Sequence, residues 1–94
     1  MIKSFKDKDT ENIFYERKVV KRFSNISKQS LRKLRTLDFA ESLEELANNP
    51  GNNLHKLHEE YEGYWSIRIN MQYRIIFQWI DGNAYNVKVC DYHK

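Results

Sequence analysis

The chain has one cysteine, Cys90, and one proline, Pro50, in 94 residues. A single cysteine excludes an internal disulfide, and with it the disulfide framework that staples many small secreted domains. Glycine is almost as scarce, with only Gly51, Gly63 and Gly82. No phosphate-binding loop, dinucleotide fingerprint or serine-hydrolase elbow can be built from them. No apolar run approaches the roughly 20 residues of a membrane span. Met1-Ile2-Lys3-Ser4 is not followed by the apolar stretch of a secretory signal. Repeats and low-complexity segments are absent too. A cytoplasmic protein with no membrane partner and no cofactor is therefore expected.

What is present is a foldable core and an uneven charge. Hydrophobic residues make up 40% of the chain and aromatics 14%, which argues against disorder. The length suits one domain over residues 1–94, burying roughly 60–70% of its unfolded surface. The net charge of +3 is small, but its distribution is not. Eight cations and no acid lie between Arg17 and Arg35, namely Arg17, Lys18, Lys21, Arg22, Lys28, Arg32, Lys33 and Arg35. Between Glu41 and Glu62 six acids face Lys56 alone. Such segregation suits a polyanion on one surface and a basic partner on another, and equally suits two solvated helix faces.

The first half of the chain reads as helical. Ile2 to Phe5 is a short strand candidate, and Asp7 can cap a helix over 8–17. A basic link over 18–25 would be anchored by Val19, Val20 and Phe23. Ser27 is a second candidate cap, with Ile26 and Leu31 as a hydrophobic staple. Leu31, Leu34, Leu37, Ala40, Leu43 and Leu46 step by three, a spacing that drifts about 60° per step around a straight helix. The pattern predicts a break at Asp38, which can cap a new helix with Glu41 three residues on, giving helices over 28–37 and 39–48. Asn48-Asn49-Pro50-Gly51-Asn52-Asn53 ends the helical half.

Beyond it the period changes to two. Trp65, Ile67 and Ile69, then Tyr73, Ile75, Phe77 and Trp79, then Tyr85, Val87 and Val89 alternate with other residues, predicting three antiparallel strands. Three-residue loops at 70–72 and 81–83 would put all these apolar side chains on one core face. The opposite face would carry Arg68, Arg74, Lys88, Cys90 and Tyr92, with Arg74 directly across from Cys90 and Tyr92 one step diagonal. The predicted class is α+β, with N-terminal helices packed on a curled antiparallel sheet.

Metal-free RNA cleavage needs a base for the 2′-OH, a cation for the phosphorane charge and an acid for the 5′-oxygen. The polar face and the three histidines, His55, His58 and His93, offer those parts. Tyr61 or Tyr92 could stack an unpaired base. A rival uses the same atoms: His55-x-x-His58 and Cys90-x-x-His93 have the residue types and spacing of a zinc site. Arg74 beside Cys90 would be an awkward neighbour for a cation, so no metal is expected. Blander readings also stand. Each histidine can be a surface residue, Trp65, Trp79 and Tyr85 can be core, Arg68 can snorkel over the sheet, and Cys90 can be an inert half-buried thiol.

The segments Leu54-His55-x-Leu57, Glu62-Gly63-Tyr64-Trp65-Ser66-Ile67, Tyr73-Arg74-Ile75-Ile76-Phe77 and Asp91-Tyr92-His93, with the opening Met1-Ile2-Lys3-Ser4-Phe5, resemble the HigB (plasmid-maintenance killer) branch of RelE-like toxins. The resemblance implies a microbial-ribonuclease-like α+β fold and a ribosome-dependent endoribonuclease that cleaves mRNA. It also implies a HigA-like helix-turn-helix antitoxin as partner, with operator DNA bound only through that complex. Carried over by position, His55 would orient or polarise the phosphate and Arg74 would stabilise the phosphorane. Asp91, Tyr92 and His93 would supply acid, base and stacking functions. RNA contacts are expected from Arg68, Lys88, Arg17, Lys18, Lys21, Arg22 and Tyr61. Relatives often carry a lysine where this chain has His58, which is therefore a further catalytic candidate. Glu59-Glu60-Tyr61 replaces a Gly-Asp-Arg-like run. The two acids would attract a charged ring and repel an incoming phosphate, leaving open a nucleic-acid-binding module with weak or no catalysis.

Overall fold

The computed structural model describes residues 1–91. The N-terminal segment leads into α1 (Lys8–Phe14), followed by a 3₁₀ turn over Lys21–Ile26, α2 (Ser27–Phe39) and α3 (Leu43–Ala47). The sheet follows as β1 (His55–Lys56), β2 (Trp65–Arg68), β3 (Tyr73–Ile80) and β4 (Asn83–Asp91). The four strands pair antiparallel in chain order, β1-β2-β3-β4. Helices before an antiparallel sheet is the expected α+β arrangement.

Local chemistry explains the helix boundaries. Asp7 caps α1, its side chain accepting from the Thr10 amide at 2.9 Å. The helix stops three residues before the expected Arg17 because Glu16 turns left-handed, at φ 54°. The Glu16 amide then donates to Ile13 and the Arg17 amide to Asn12, a Schellman closure. Ser27 is not a cap. It is already helical, following the 3₁₀ turn, and its hydroxyl donates to the Ser24 carbonyl. Val20 and Phe23 anchor that stretch as expected, whereas Val19 is 81% exposed.

The helical break falls after Phe39, at extended Ala40, rather than at Asp38. Asp38 is engaged elsewhere, accepting from the Ile2 amide at 2.8 Å. Ser42 caps α3 instead, accepting from the Glu45 amide, while the Glu45 carboxylate accepts from the Glu41 amide.

The sheet register matches expectation over most of its length. Trp65 faces Phe77, Ile67 faces Ile75 and Val89 faces Ile75, so these side chains share the face packed on the helices. Leu34, Leu37, Ile67, Ile75, Phe77, Val87 and Val89 are fully buried there. The first hairpin has its loop at 70–72, with Asn70 Oδ1 accepting from the Gln72 and Tyr73 amides.

The second hairpin differs from expectation. It turns on two residues, Asp81 (φ 52°) and Gly82 (φ 80°), and Ile80 pairs with Asn83. Positive φ at both central positions is the mirror-image turn that matches strand twist, for which Asp-Gly is well suited. The shorter turn shifts the register by one, so Tyr85 pairs with Gln78 and Ala84 takes the core position opposite Trp79. Tyr85 thus leaves the expected core face. A bulge with Asn86 at φ 53° restores the register, so Lys88 faces Ile76 and Cys90 faces Arg74.

The first residues run parallel beside β4. Ile2 bridges to Ala84 and Phe5 to Val87, with the Lys3 and Lys6 amides donating to Ala84 and Val87 at 2.7 and 2.9 Å. Buried Thr10 of α1 accepts from the Val89 amide at 2.9 Å, fixing the helix to the same strand.

Candidate active site

Residues paired directly across an antiparallel sheet point to the same side. His55 pairs with Ser66, Ser66 with Ile76, and Ile76 with Lys88. These four residues therefore form one row across all four strands, on the side away from the helices. A second row runs Arg68, Arg74, Cys90. In the first row the middle is low and dry, since Ser66 and Ile76 are 0% and 1% exposed. The ends, His55 and Lys88, are more open.

A groove of about 870 Å³ lies along this face. Ile76 lines it together with His55, Lys56, Leu57 and His58 from one side and Lys88, Val89, Cys90 and Asp91 from the other. Glu59, Glu60 and Tyr61, on a 3₁₀ turn between β1 and β2, form part of the wall, with Arg22 reaching in from the helical half. β1 and β4 are three strand spacings apart, each about 4.8 Å in a flat sheet. A single groove lined by both needs the curl that strand twist supplies.

Arg74 sits differently from its expected open position. It is 5% exposed; its Nε donates to Ser66 Oγ at 2.8 Å and its Nη2 to the Asn53 carbonyl at 2.6 Å. Arg74 does not itself line the groove, but its cross-strand neighbour Cys90 does. Burial pushes the Cys90 thiol up, against the opposing pull of Lys88 and Arg74. That shift disfavours the thiolate a nucleophile would need.

His55 is exposed, its Nε2 3.1 Å from Asn53 Oδ1. His58 Nδ1 lies 3.9 Å from the Glu62 carboxylate, both side chains open to solvent. Asp91 pairs with Tyr73 and its carboxylate accepts from Gln72 Nε2 at 3.0 Å. Tyr61 packs edge-on against Tyr64, centroids 5.8 Å apart.

Of the expected site, then, His55, His58, Asp91, Lys88, Tyr61 and Arg22 meet at one groove, with Arg74 buried beside it. Tyr92 and His93 lie outside the described residues. Arg68, Arg17, Lys18 and Lys21 do not line the groove. Three of the eight cations in the basic run are already compensated: Arg17 pairs with Glu11 at 3.1 Å, Arg22 with Asp9 at 2.8 Å and Arg35 with Glu16 at 2.8 Å. Among the described residues, no three histidine, cysteine, aspartate or glutamate side chains converge as metal ligands, and no helix is long and apolar enough to cross a membrane. Sequence reasoning missed Asn53, Ser66 and Lys56. For Asn53 a signal existed, because Asn after Pro-Gly-Asn suits a left-handed turn.

Comparison with known proteins agrees with this geometry. The family described as the RelE-like toxin of type II toxin–antitoxin system HigB matches residues 3–93. Toxin HigB-1 of Vibrio cholerae is 44% identical over 96 aligned positions, covering 100% of this chain and 99% of that protein. Endoribonuclease HigB of Proteus vulgaris is 53% identical over 32 positions, about a third of each chain. Among solved structures, a chain of the YoeB–YefM toxin–antitoxin complex from Staphylococcus aureus covers the whole chain and 99% of its own length, at 21% identity and a TM-score of 0.57. YafQ from E. coli covers 99% of this chain and 96% of its own length, at 16% identity and a TM-score of 0.57. At those identities the structures speak for the fold, whereas the family match and the Vibrio relative speak for kinship: this chain belongs to the HigB family of RelE-like toxins of type II toxin–antitoxin systems.

Proposed function

We propose that this chain is a cytoplasmic endoribonuclease that cleaves mRNA on the ribosome, without a metal, by attack of a 2′-OH on the adjacent phosphate. A HigA-like helix-turn-helix antitoxin would hold it inactive. The observation that carries the proposal is the row His55–Ser66–Ile76–Lys88, which sets a histidine and a lysine on opposite rims of one groove beside the buried Arg74. The name of the Proteus relative supports the reaction class.

In this reading the RNA backbone lies along the groove between the rims. Lys88 and Arg74 supply positive potential where phosphorane charge develops, and such preorganised charge is worth more in a partly dry site. His55 stands beside the phosphate, where its ring can accept the 2′-OH proton, and Tyr61 offers a ring for stacking. Asp91 and His93 complete proton transfer, and Tyr92 supplies a second ring for stacking. His58 contributes a proton or a charge at the mouth.

The test is inducible expression with mapping of mRNA 5′ ends. Wild type should arrest growth, with new 5′ ends appearing in messages, and co-expression of the antitoxin should restore growth. His93→Ala and Lys88→Ala should abolish or strongly reduce cleavage. Wild-type cleavage by both variants would remove the site assignment. A second reading is favoured by Glu59 and Glu60 in the groove wall. The acids would oppose phosphate and leave a salt-sensitive nucleic-acid binder without growth arrest. His58→Lys separates the two, since stronger cleavage would mark the native site as attenuated and its loss would give His58 its own role.

A further inference from the structure

The loop before β1 is fixed more firmly than a surface connection needs. Asn49 Oδ1 accepts from the Gly51 amide at 3.0 Å. Asn52 is 1% exposed, its Nδ2 donating to the Leu46 carbonyl at 3.0 Å and its Oδ1 accepting from Lys33 Nζ at 2.6 Å. Burial, with Arg32 adding to it, lowers the Lys33 ammonium below the usual lysine value. That cation is thus drawn partly out of water to hold the loop. The next residue, Asn53, is left-handed at φ 47° and ψ 55°.

Asn53 has two acceptors, and each meets a different proposed site residue. Its carbonyl accepts from Arg74 Nη2 at 2.6 Å, and its Oδ1 lies 3.1 Å from His55 Nε2. A carboxamide oxygen can only accept, so a hydrogen bond here requires the proton on Nε2. In the neutral ring Nδ1 is then the lone-pair nitrogen, the one left for a substrate.

We infer that Asn53 is a positioning residue for the reaction. It holds His55 in the Nε2–H form, with Nδ1 available to substrate, and ties that ring to Arg74 through one rigid residue. This rests on the ribonuclease reading above for the role of His55, while the contact itself is independent of that reading. The left-handed backbone explains why asparagine suits the position, because a left-handed turn strains most side chains and Asn much less.

Glycine separates the two acceptors. Asn53→Gly keeps the left-handed backbone, and so the carbonyl under Arg74, while deleting only the bond to His55. Asn53→Asp restores an acceptor oxygen in nearly the same place. The first measurement is the ¹⁵N spectrum of the His55 ring at a pH where it is neutral. Wild type and Asn53→Asp should show the Nε2–H form, and Asn53→Gly a mixture of both forms. A wild-type ring in the Nδ1–H form, or one unchanged by Asn53→Gly, overturns the inference.

The second measurement is single-turnover cleavage of ribosome-bound mRNA, combined with a urea midpoint. Asn53→Gly should lower the maximal rate about tenfold, the equivalent of one modest hydrogen bond. RNA binding and the urea midpoint should hold, and Asn53→Asp should recover most of the rate. In a His55→Ala background Asn53→Gly should cost nothing further, as expected of a residue acting through another. An additive loss there overturns Asn53 alone. If His55→Ala cleaves like wild type, the assignment of His55 falls, and the positioning role falls with it.

Discussion

The two faces of β3 hide side chains equally well and ask different things of them. Ile75 and Phe77 are fully buried against Leu34, Leu37 and the rest of the core. On the reverse, Arg74 and Ile76 are 5% and 1% exposed. A buried hydrocarbon needs neighbours of the right volume, but a buried guanidinium needs specific oxygens at specific distances. Arg74 finds them in Ser66 Oγ and the Asn53 carbonyl. The core face therefore sets how stable the protein is, and the reverse face sets where its charges stand.

That contrast can be broken by substitution. Phe77→Ala should cost about 3–5 kcal/mol in urea unfolding, with cleavage per folded molecule unchanged. Arg74→Ala belongs to both faces. It should cost about 2–4 kcal/mol by stranding buried acceptors and should also lower cleavage by the folded fraction. If Arg74→Ala changes stability alone, the groove does not use its charge. Asn86→Val, at the bulge that restores register, should cost about 1–2 kcal/mol through its left-handed backbone, read from the same unfolding curves.

Smaller effects sharpen the picture. Cys90 binds its proton more tightly in the folded state than in the unfolded one, because burial raises it. Its contribution to stability is complete below the unfolded thiol's value of about 8.5. It is then lost as pH rises through the folded value. Wild type should therefore lose stability relative to Cys90→Ser across that alkaline window, and alkylation of the native thiol should be slow at pH 7. Smallest of all, Arg35→Ala should shift stability by under about 1 kcal/mol, since its pair with Glu16 is solvent-exposed.

Patterns local in sequence were legible. The period-two alternation placed Ile67, Ile75 and Val89 on one face and put Arg74 across from Cys90. Asp7 announced the start of α1. Features decided by distant partners were not. Asp38 looked like a cap until Ile2, 36 residues away, claimed its carboxylate. Tyr85 looked like core because the Asp81-Gly82 turn and the Asn86 bulge cancel over most of β4, leaving a misplaced stretch between them. In the candidate site, His55 was suggested by residue type, Lys88 by register and Asp91 only by the family resemblance, whereas the burial of Arg74 depends on Asn53, 21 residues earlier.

The first six residues pair with a strand more than 80 positions downstream. Chain order thus makes completion of the fold a late event in synthesis. While residues 84–87 are still untranslated, the leading segment has no strand to pair with and one whole rim of the groove does not exist. A message interrupted before that point yields a polypeptide without the Lys88 rim. Only a chain extended through β4 can close its sheet, so the ribosome making it has read nearly all of the described chain before the groove can form.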